Sequence, residues 1–338
     1  MNLASMLLAL ASNLASQEAP DVGENQIDEP LAKTYSLERG RKFLDDASLQ
    51  WQSERKCLTC HTNWSYLVTG GSHASGRAAY GEVRKFTEDL VGKRWADKGP
   101  RWDTEVIVAA MGLAFSDAES GGKLNPLTRK ALDRMWTVQR PDGGWNWINC
   151  GWPPMESDDY YGVTAALLAT GRAPEGYAST PAAQEGVNKI RMYLAKNAPP
   201  SLHHKAMLCW AAKSLDGIMT PEEQKKTVDD LLALQLTDGG WAIATYLEWK
   251  RSDGTEQEKK AGDGYGTGFV LHLAHLQGIP ATDPRIVRGL EWIKTHQRES
   301  GRWFTRSLKK DSRHYLTHAG TAFAIRALYD FGQGEPAK

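Results

Sequence analysis

The chain has 338 residues, and its 41 Lys+Arg balance 41 Asp+Glu to give a formal net charge of zero. That balance offers no electrostatic basis for a nucleic-acid or anionic-membrane partner, since both call for a basic patch or stripe. Four Cys are too few for a disulfide scaffold, while 13 Trp and 32 Gly are unusually many and recur in a pattern.

Residues 1–20 carry an apolar run from Leu3 to Leu14 followed by small residues. This is the length of a signal peptide and too short to span a bilayer, so the protein is expected to be exported, to the periplasm or another extracytoplasmic space. No later stretch reaches ~18 consecutive apolar residues, and no transmembrane segment is predicted. Residues 21–33, with their acids, Gly and Pro, read as a flexible leader; residues 34–332 form the body and 333–338 a short tail.

Cys57, Cys60 and His61 form Cys-x-x-Cys-His. This pattern attaches a c-type haem: two thiols bind the porphyrin and the adjacent imidazole takes an axial position on iron, which makes His61 the metal ligand. Two plainer readings stand beside it, a Cys-x-x-Cys redox pair next to an unrelated His and half of a zinc site. Cys150 lies in a loop and Cys209 in an apolar helical run.

Further along, amphipathic helices with charged faces are predicted near 36–51, 80–94, 126–139, 182–196, 221–235 and 284–297. Between them lie segments apolar all round, which are buried when helical: 104–115, 161–171, 205–215, 266–278 and 318–332, with 57–68 as the first of the kind. Six outer and six inner helices make one all-α (α/α)6 toroid. Three segments, 131–147, 228–242 and 289–304, share a form in which an amphipathic helix ends in Gln (139, 235, 297), turns through Gly and reaches Trp (145, 241, 303). The Gln can bond backbone at the helix end, the Gly permits a left-handed turn and the Trp packs back over it.

These Gln-to-Trp segments resemble the QW repeats of the squalene-hopene cyclase and prenyltransferase superfamily, over roughly residues 100–332. Within that span PPMESDDYYGVTAALLATG resembles the Asp-x-Asp-Asp loop of the triterpene cyclases, with Glu in the first place. The resemblance implies a terpenoid cyclase fold, puts Glu156, Asp158 and Asp159 in the three acidic places and gives Asp158 the role of proton donor to an alkene. From the residues alone, Asp158 or Asp159 is equally an N-cap of the helix that follows, and the trio equally a calcium site. As chemistry, crowding beside apolar walls would raise one pKa and keep Asp158 protonated.

Every inner helix of such a ring begins at one mouth. His204 and His318 at inner-helix starts, then His203, Met155 or water, are the candidates for a second axial ligand, each His being equally an ordinary capping imidazole. His314 also falls at this mouth, whereas His272 and His275 lie deeper. Trp64, Tyr66, Tyr160, Tyr161, Trp210, Tyr265 and Tyr315 can face a cavity and hold an isoprenoid-like ligand, or serve as core. The leading expectation is an exported toroid with one haem c and a redox or electron-transfer role, implying a redox partner protein. An acid-initiated terpene cyclase and a non-catalytic binding scaffold are the alternatives.

Overall fold

The computed structural model describes residues 20–311 and 315–334. The expected signal peptide, apart from Pro20, lies outside the described residues, as do His314 and most of the tail.

The body is all-α, and among the described residues there is no strand, only two isolated bridges. The helices run α1 (Leu37–Arg55), α2 (Asn63–Ala74), α3 (Ala78–Asp89), α4 (Trp95–Lys98), α5 (Asp103–Glu119), α6 (Pro126–Thr137) and α7 (Asp159–Arg172). They continue as α8 (Pro181–Lys196), α9 (Leu202–Ala211), α10 (Pro221–Leu232), α11 (Gly264–Leu276), α12 (Pro284–Thr295) and α13 (Leu316–Asp330). A π-helical turn, Leu90–Arg94, joins α3 to the short α4, so the two form one bent outer rod.

Four outer helices start the same way. Asn125, Thr180, Thr220 and Asp283 cap α6, α8, α10 and α12 with their side chains, and Pro occupies the first helical position, where its missing N–H has no intrahelical partner to lose. The inner helices are apolar all round because they are surrounded: every residue from Thr104 to Asp117 of α5 and from Gly264 to Ala274 of α11 is buried. α2 packs on α5, α5 on α7, α7 on α9, α9 on α11, α11 on α13, and α13 returns to α2. That cyclic order closes a single (α/α)6 ring.

The Gln-to-Trp segments tie neighbouring outer helices together. Trp145, Trp241 and Trp303 are fully buried, and each indole N–H donates to the carbonyl ten residues back, on Met135, Leu231 and Ile293, at 3.0, 2.9 and 2.7 Å. Gln139 Nε2 donates to the Gly143 carbonyl and across to Gly186 of α8. Gln235 does the same with Gly239 and Arg285 of α12, and Gln297 with Gly301 and Ser36, the cap of α1. The turn glycines have φ of 94, 94 and 98°.

Residues 21–33, whose composition reads as a flexible leader, run along the turn after α12. Arg302, buried on the face of Phe43, donates to the Val22 and Glu24 carbonyls and pairs with Glu29 at 3.3 Å. The Ala32 N–H donates to the Gln297 carbonyl and the Glu299 N–H to that of Pro30, at 2.8 and 3.0 Å. The segment buries little of its own, but its carbonyls supply acceptors that two arginines, Arg298 and Arg302, would otherwise lack. No described helix is long and apolar enough to cross a membrane.

Candidate functional site

α1 ends where Lys56 adopts the left-handed conformation and its N–H returns to the Gln52 carbonyl. Cys57 to Thr62 then form a turn, and the first inner helix begins at Asn63, six residues later than the expected start at 57. Thr62, at the N-cap position, caps nothing with its side chain. Its hydroxyl sits 2.8 Å from His61 Nδ1 and 3.1 Å from His318 Nδ1.

His61 is fixed on three sides. Its ring stacks on Tyr315 at 5.0 Å and meets the edge of Trp51 at 4.7 Å, and its Nε2 lies 3.9 Å from Glu156 Oε1. Cys57, His61 and Glu156 share a cavity of about 350 Å³ whose remaining wall is mostly apolar, from Trp51, Trp102, Trp152, Met155 and Leu316 among others. The far wall is a tight hairpin. Trp152 and Glu156 exchange backbone hydrogen bonds at 3.1 and 2.9 Å, and Trp147 Nε1 donates to the Met155 carbonyl at 2.7 Å.

The two thiols differ. Cys57 is half-buried and lines the cavity, whereas Cys60 is 2% exposed and belongs to the core. Burial pushes the pKa of both up, that of Cys60 strongly. A Cys-x-x-Cys redox pair needs a depressed thiol pKa, so this environment opposes that reading. Among the described residues no group of three or more His, Cys, Asp or Glu converges.

The acidic loop does not crowd its carboxylates as expected. Asp158 caps α7: Oδ1 accepts from the Tyr161 N–H at 3.0 Å, while Oδ2 accepts from Ser157 Oγ at 3.0 Å and lies 3.1 Å from His204 Nε2. Burial works to raise its pKa, but the bonds from His204, Tyr161 and Ser157 prevail and hold it below the usual range. Asp158 is thus kept ionised, the reverse of the expected protonated acid. Asp159 pairs with Arg140 at 2.6 Å. The carboxyl whose pKa burial raises is Glu156.

His203 is fully buried with Nε2 on the Tyr265 hydroxyl at 2.9 Å. His204 Nδ1 lies 2.8 Å from Ser201 Oγ, and His318 meets Phe43 edge-on at 5.5 Å. None of the three lines the cavity that His61 faces; Met155 does. Of the aromatics that might line an inner chamber, Trp64, Tyr66, Tyr160, Tyr161 and Tyr265 are buried core and Tyr315 lines the rim cavity. Trp51, Trp152 and Thr62 are site residues that sequence patterns do not single out. The abundance of Trp on both sides of the Cys-x-x-Cys-His turn is the only signal of the first two.

The helices close an all-α (α/α)6 toroid with a thiol–imidazole turn at its mouth. No protein-family model matches the chain, and no curated protein does. Among solved structures it is similar to an ent-copalyl diphosphate synthase from Streptomyces platensis, with a TM-score of 0.52 and 17% identity over 85% of this chain and 55% of that one. It is also similar to a polysaccharide lyase, with a TM-score of 0.54 and 10% identity over 87% and 97%. A type II terpene cyclase from Scytonema gives 0.49 and 12% identity over 86% and 98%. At such identities the likeness is one of fold, and the chain spans about half the length of the copalyl diphosphate synthase.

Proposed function

We propose that this protein is an exported, terpenoid-cyclase-like toroid that carries one covalently attached haem c at its mouth and serves electron transfer or redox chemistry, on an isoprenoid-like ligand or with a partner protein. The observation that carries the reading is the shared cavity: Cys57 and His61 line it together, the imidazole Nε2 is directed at Glu156 across it, and its walls are largely aromatic. Its volume of about 350 Å³ falls within the usual range for cofactor sites. The donor set fits, with one adjustment. Cys60 is buried behind the wall, so attachment at both thiols requires the 57–62 turn to open, which gives up the bond from the Trp64 N–H to the Thr59 carbonyl.

When bound, a haem c supplies an iron that takes up and releases one electron. The chain's own part is to present the ligand. His61 Nδ1 lies 2.8 Å from Thr62 Oγ1, so that a proton on Nδ1 would have an acceptor there and leave Nε2 its lone pair, and Tyr315 and Trp51 fix the ring plane. Trp102 and Trp152 make part of the cavity wall apolar. An acid-initiated cyclase is supported less well, because the Asp158 carboxyl is held below the usual range and Trp64, Tyr66, Tyr160, Tyr161 and Tyr265 are packed in the core.

Protein produced in a host that matures c-type haem should remain red after acid-acetone extraction and give a pyridine haemochrome of one haem per chain. A colourless protein, or pigment that extracts, ends the proposal. Intact mass of the exported product reports whether residues 1–20 are removed.

A further inference from the structure

The residues of the Cys-x-x-Cys-His turn face two ways. Cys57, Thr59 and His61 line the rim cavity, while Leu58 and Cys60, 6% and 2% exposed, are packed in the core. That alternation is the period of an extended chain, whose successive side chains point to opposite sides, whereas a helix puts residues three apart on one face. The first inner helix begins only at Asn63. Cys57 and Cys60 therefore stand on opposite sides of the backbone that carries them, although their spacing suits a shared helical face.

The turn is pinned from both sides. On the core side the Thr59 carbonyl accepts from the Trp64 N–H at 3.1 Å and the Thr62 carbonyl from the Tyr66 N–H at 3.0 Å, which ties the turn to the start of α2. On the cavity side the His61 ring stacks on Tyr315 and meets the edge of Trp51. Cys60 and His61 are adjacent, and under this alternation only one of them can face the cavity: a backbone rotation that brings Cys60 to the wall takes His61 off it. An imidazole that is to meet iron in this cavity thus excludes Cys60 and accepts Cys57, which already lies on the imidazole's side.

We propose that the haem is joined to the chain by a single thioether, at Cys57, and that Cys60 remains a free thiol of the core; this inference rests on the haem reading given above. The Cys57 S–H adds across one vinyl group: sulfur bonds to the vinyl carbon next to the ring, the proton goes to the terminal carbon, and no electrons are gained or lost. The second vinyl keeps its double bond. The restriction belongs to the folded product, whatever the state of the chain when the bond forms, because a second thioether would hold Cys60 on the cavity side at the expense of His61.

Full-length protein matured with haem, then denatured, alkylated with iodoacetamide and weighed by mass spectrometry, tests it. Of the four Cys, three should take the label, Cys60, Cys150 and Cys209, and the haem mass should stay on the peptide that carries Cys57. The pyridine haemochrome band should lie to the red of a two-thioether standard, because one vinyl stays conjugated with the porphyrin. Cys57→Ala should lose all pigment that resists acid-acetone, and Cys60→Ala should keep it. The label count is read on the parent, so it decides the matter even where Cys60→Ala does not fold. Two labelled thiols, or haem mass tied to Cys60, would overturn the single attachment and leave the haem reading standing; four labelled thiols with no retained pigment would overturn both.

Discussion

Gln297 grips Ser36 by both backbone groups: its Oε1 accepts the Ser36 N–H at 2.8 Å and its Nε2 donates to the Ser36 carbonyl at 2.9 Å. Ser36 caps the first helix and Gln297 follows the last outer one, so this amide closes the ring between positions 261 apart. Gln139 makes only the donor half of that grip on the next outer helix, and Gln235 joins to its donor half an Oε1 that accepts from the Arg288 guanidinium instead of from backbone. Gln297→Ala strands the Ser36 N–H and two carbonyls in a nearly water-free place and should cost about 2–4 kcal/mol, more than Gln139→Ala. Urea unfolding of the two variants against the parent measures this; equal losses would show that ring closure adds nothing.

The turn glycines give a sharper contrast. Gly301 has φ of 98°, and a Cβ there would stand 2.3 Å from the Arg39 carbonyl oxygen of α1. Gly254 also has positive φ, 74°, but a Cβ there meets nothing within 4 Å. Gly254→Ala should therefore cost only the ~1–2 kcal/mol of placing an L residue in left-handed backbone, while Gly301→Ala adds the separation of α1 from the turn and should cost well beyond that. Paired thermal melts of the two variants decide it.

These two cases also mark what the chain discloses before it folds. Helices apolar all round had to be the inner ones, so the alternation of composition located the twelve helices of the ring, and the repeated Gln, Gly and Trp located its staples. The site was legible as ingredients and less so as arrangement. Thr62, at the end of the 57–62 turn, meets His318, which lies 256 positions away, and no local pattern signals such a partner. Asp158 is held below the usual carboxylate range by His204 against its own burial, and the leader's carbonyls accept from Arg302. Each departure from the sequence expectation is a tertiary contact acting on a residue whose local preference was different.

Thr62 is argued to orient His61, and its role separates from mere packing by substitution. Thr62→Val keeps the shape and removes the hydroxyl between His61 Nδ1 and His318 Nδ1; Thr62→Ser keeps the hydroxyl. In protein matured with haem, Thr62→Val should lower the fraction of low-spin iron seen in the Soret and visible bands, and Thr62→Ser should restore it. Spectra of the valine variant that match the parent would show that the hydroxyl does not position the ring.

Part of the acid sensitivity should trace to His73. It is buried near the end of α2, stacked on Tyr329 at 4.7 Å, with Arg326 of α13 and Arg41 of α1 nearby and Asp330 opposing them. Burial first, then the two arginines, bring its pKa down to about 3 from 6.5. An unfolded chain takes a proton on this residue near pH 6.5 while the folded one refuses it until about pH 3, so the unfolded state binds more protons between those limits. Stability is therefore full above pH 6.5 and falls as pH drops, by about 2 kcal/mol at pH 5 on ~1.4 kcal/mol per unit. His203 and His272 are also lowered by burial and act in parent and variant alike. Asp330, held down to about 2 by His272 and Arg326 against its own burial, adds its loss only below the ordinary carboxylate range. His73→Phe preserves the stack on Tyr329 and removes the titration. Its stability at pH 5 relative to pH 7 should exceed the parent's by about 2 kcal/mol, read from urea midpoints at the two pH values; the same pH slope in both proteins would mean that His73 accepts its proton in the fold without penalty.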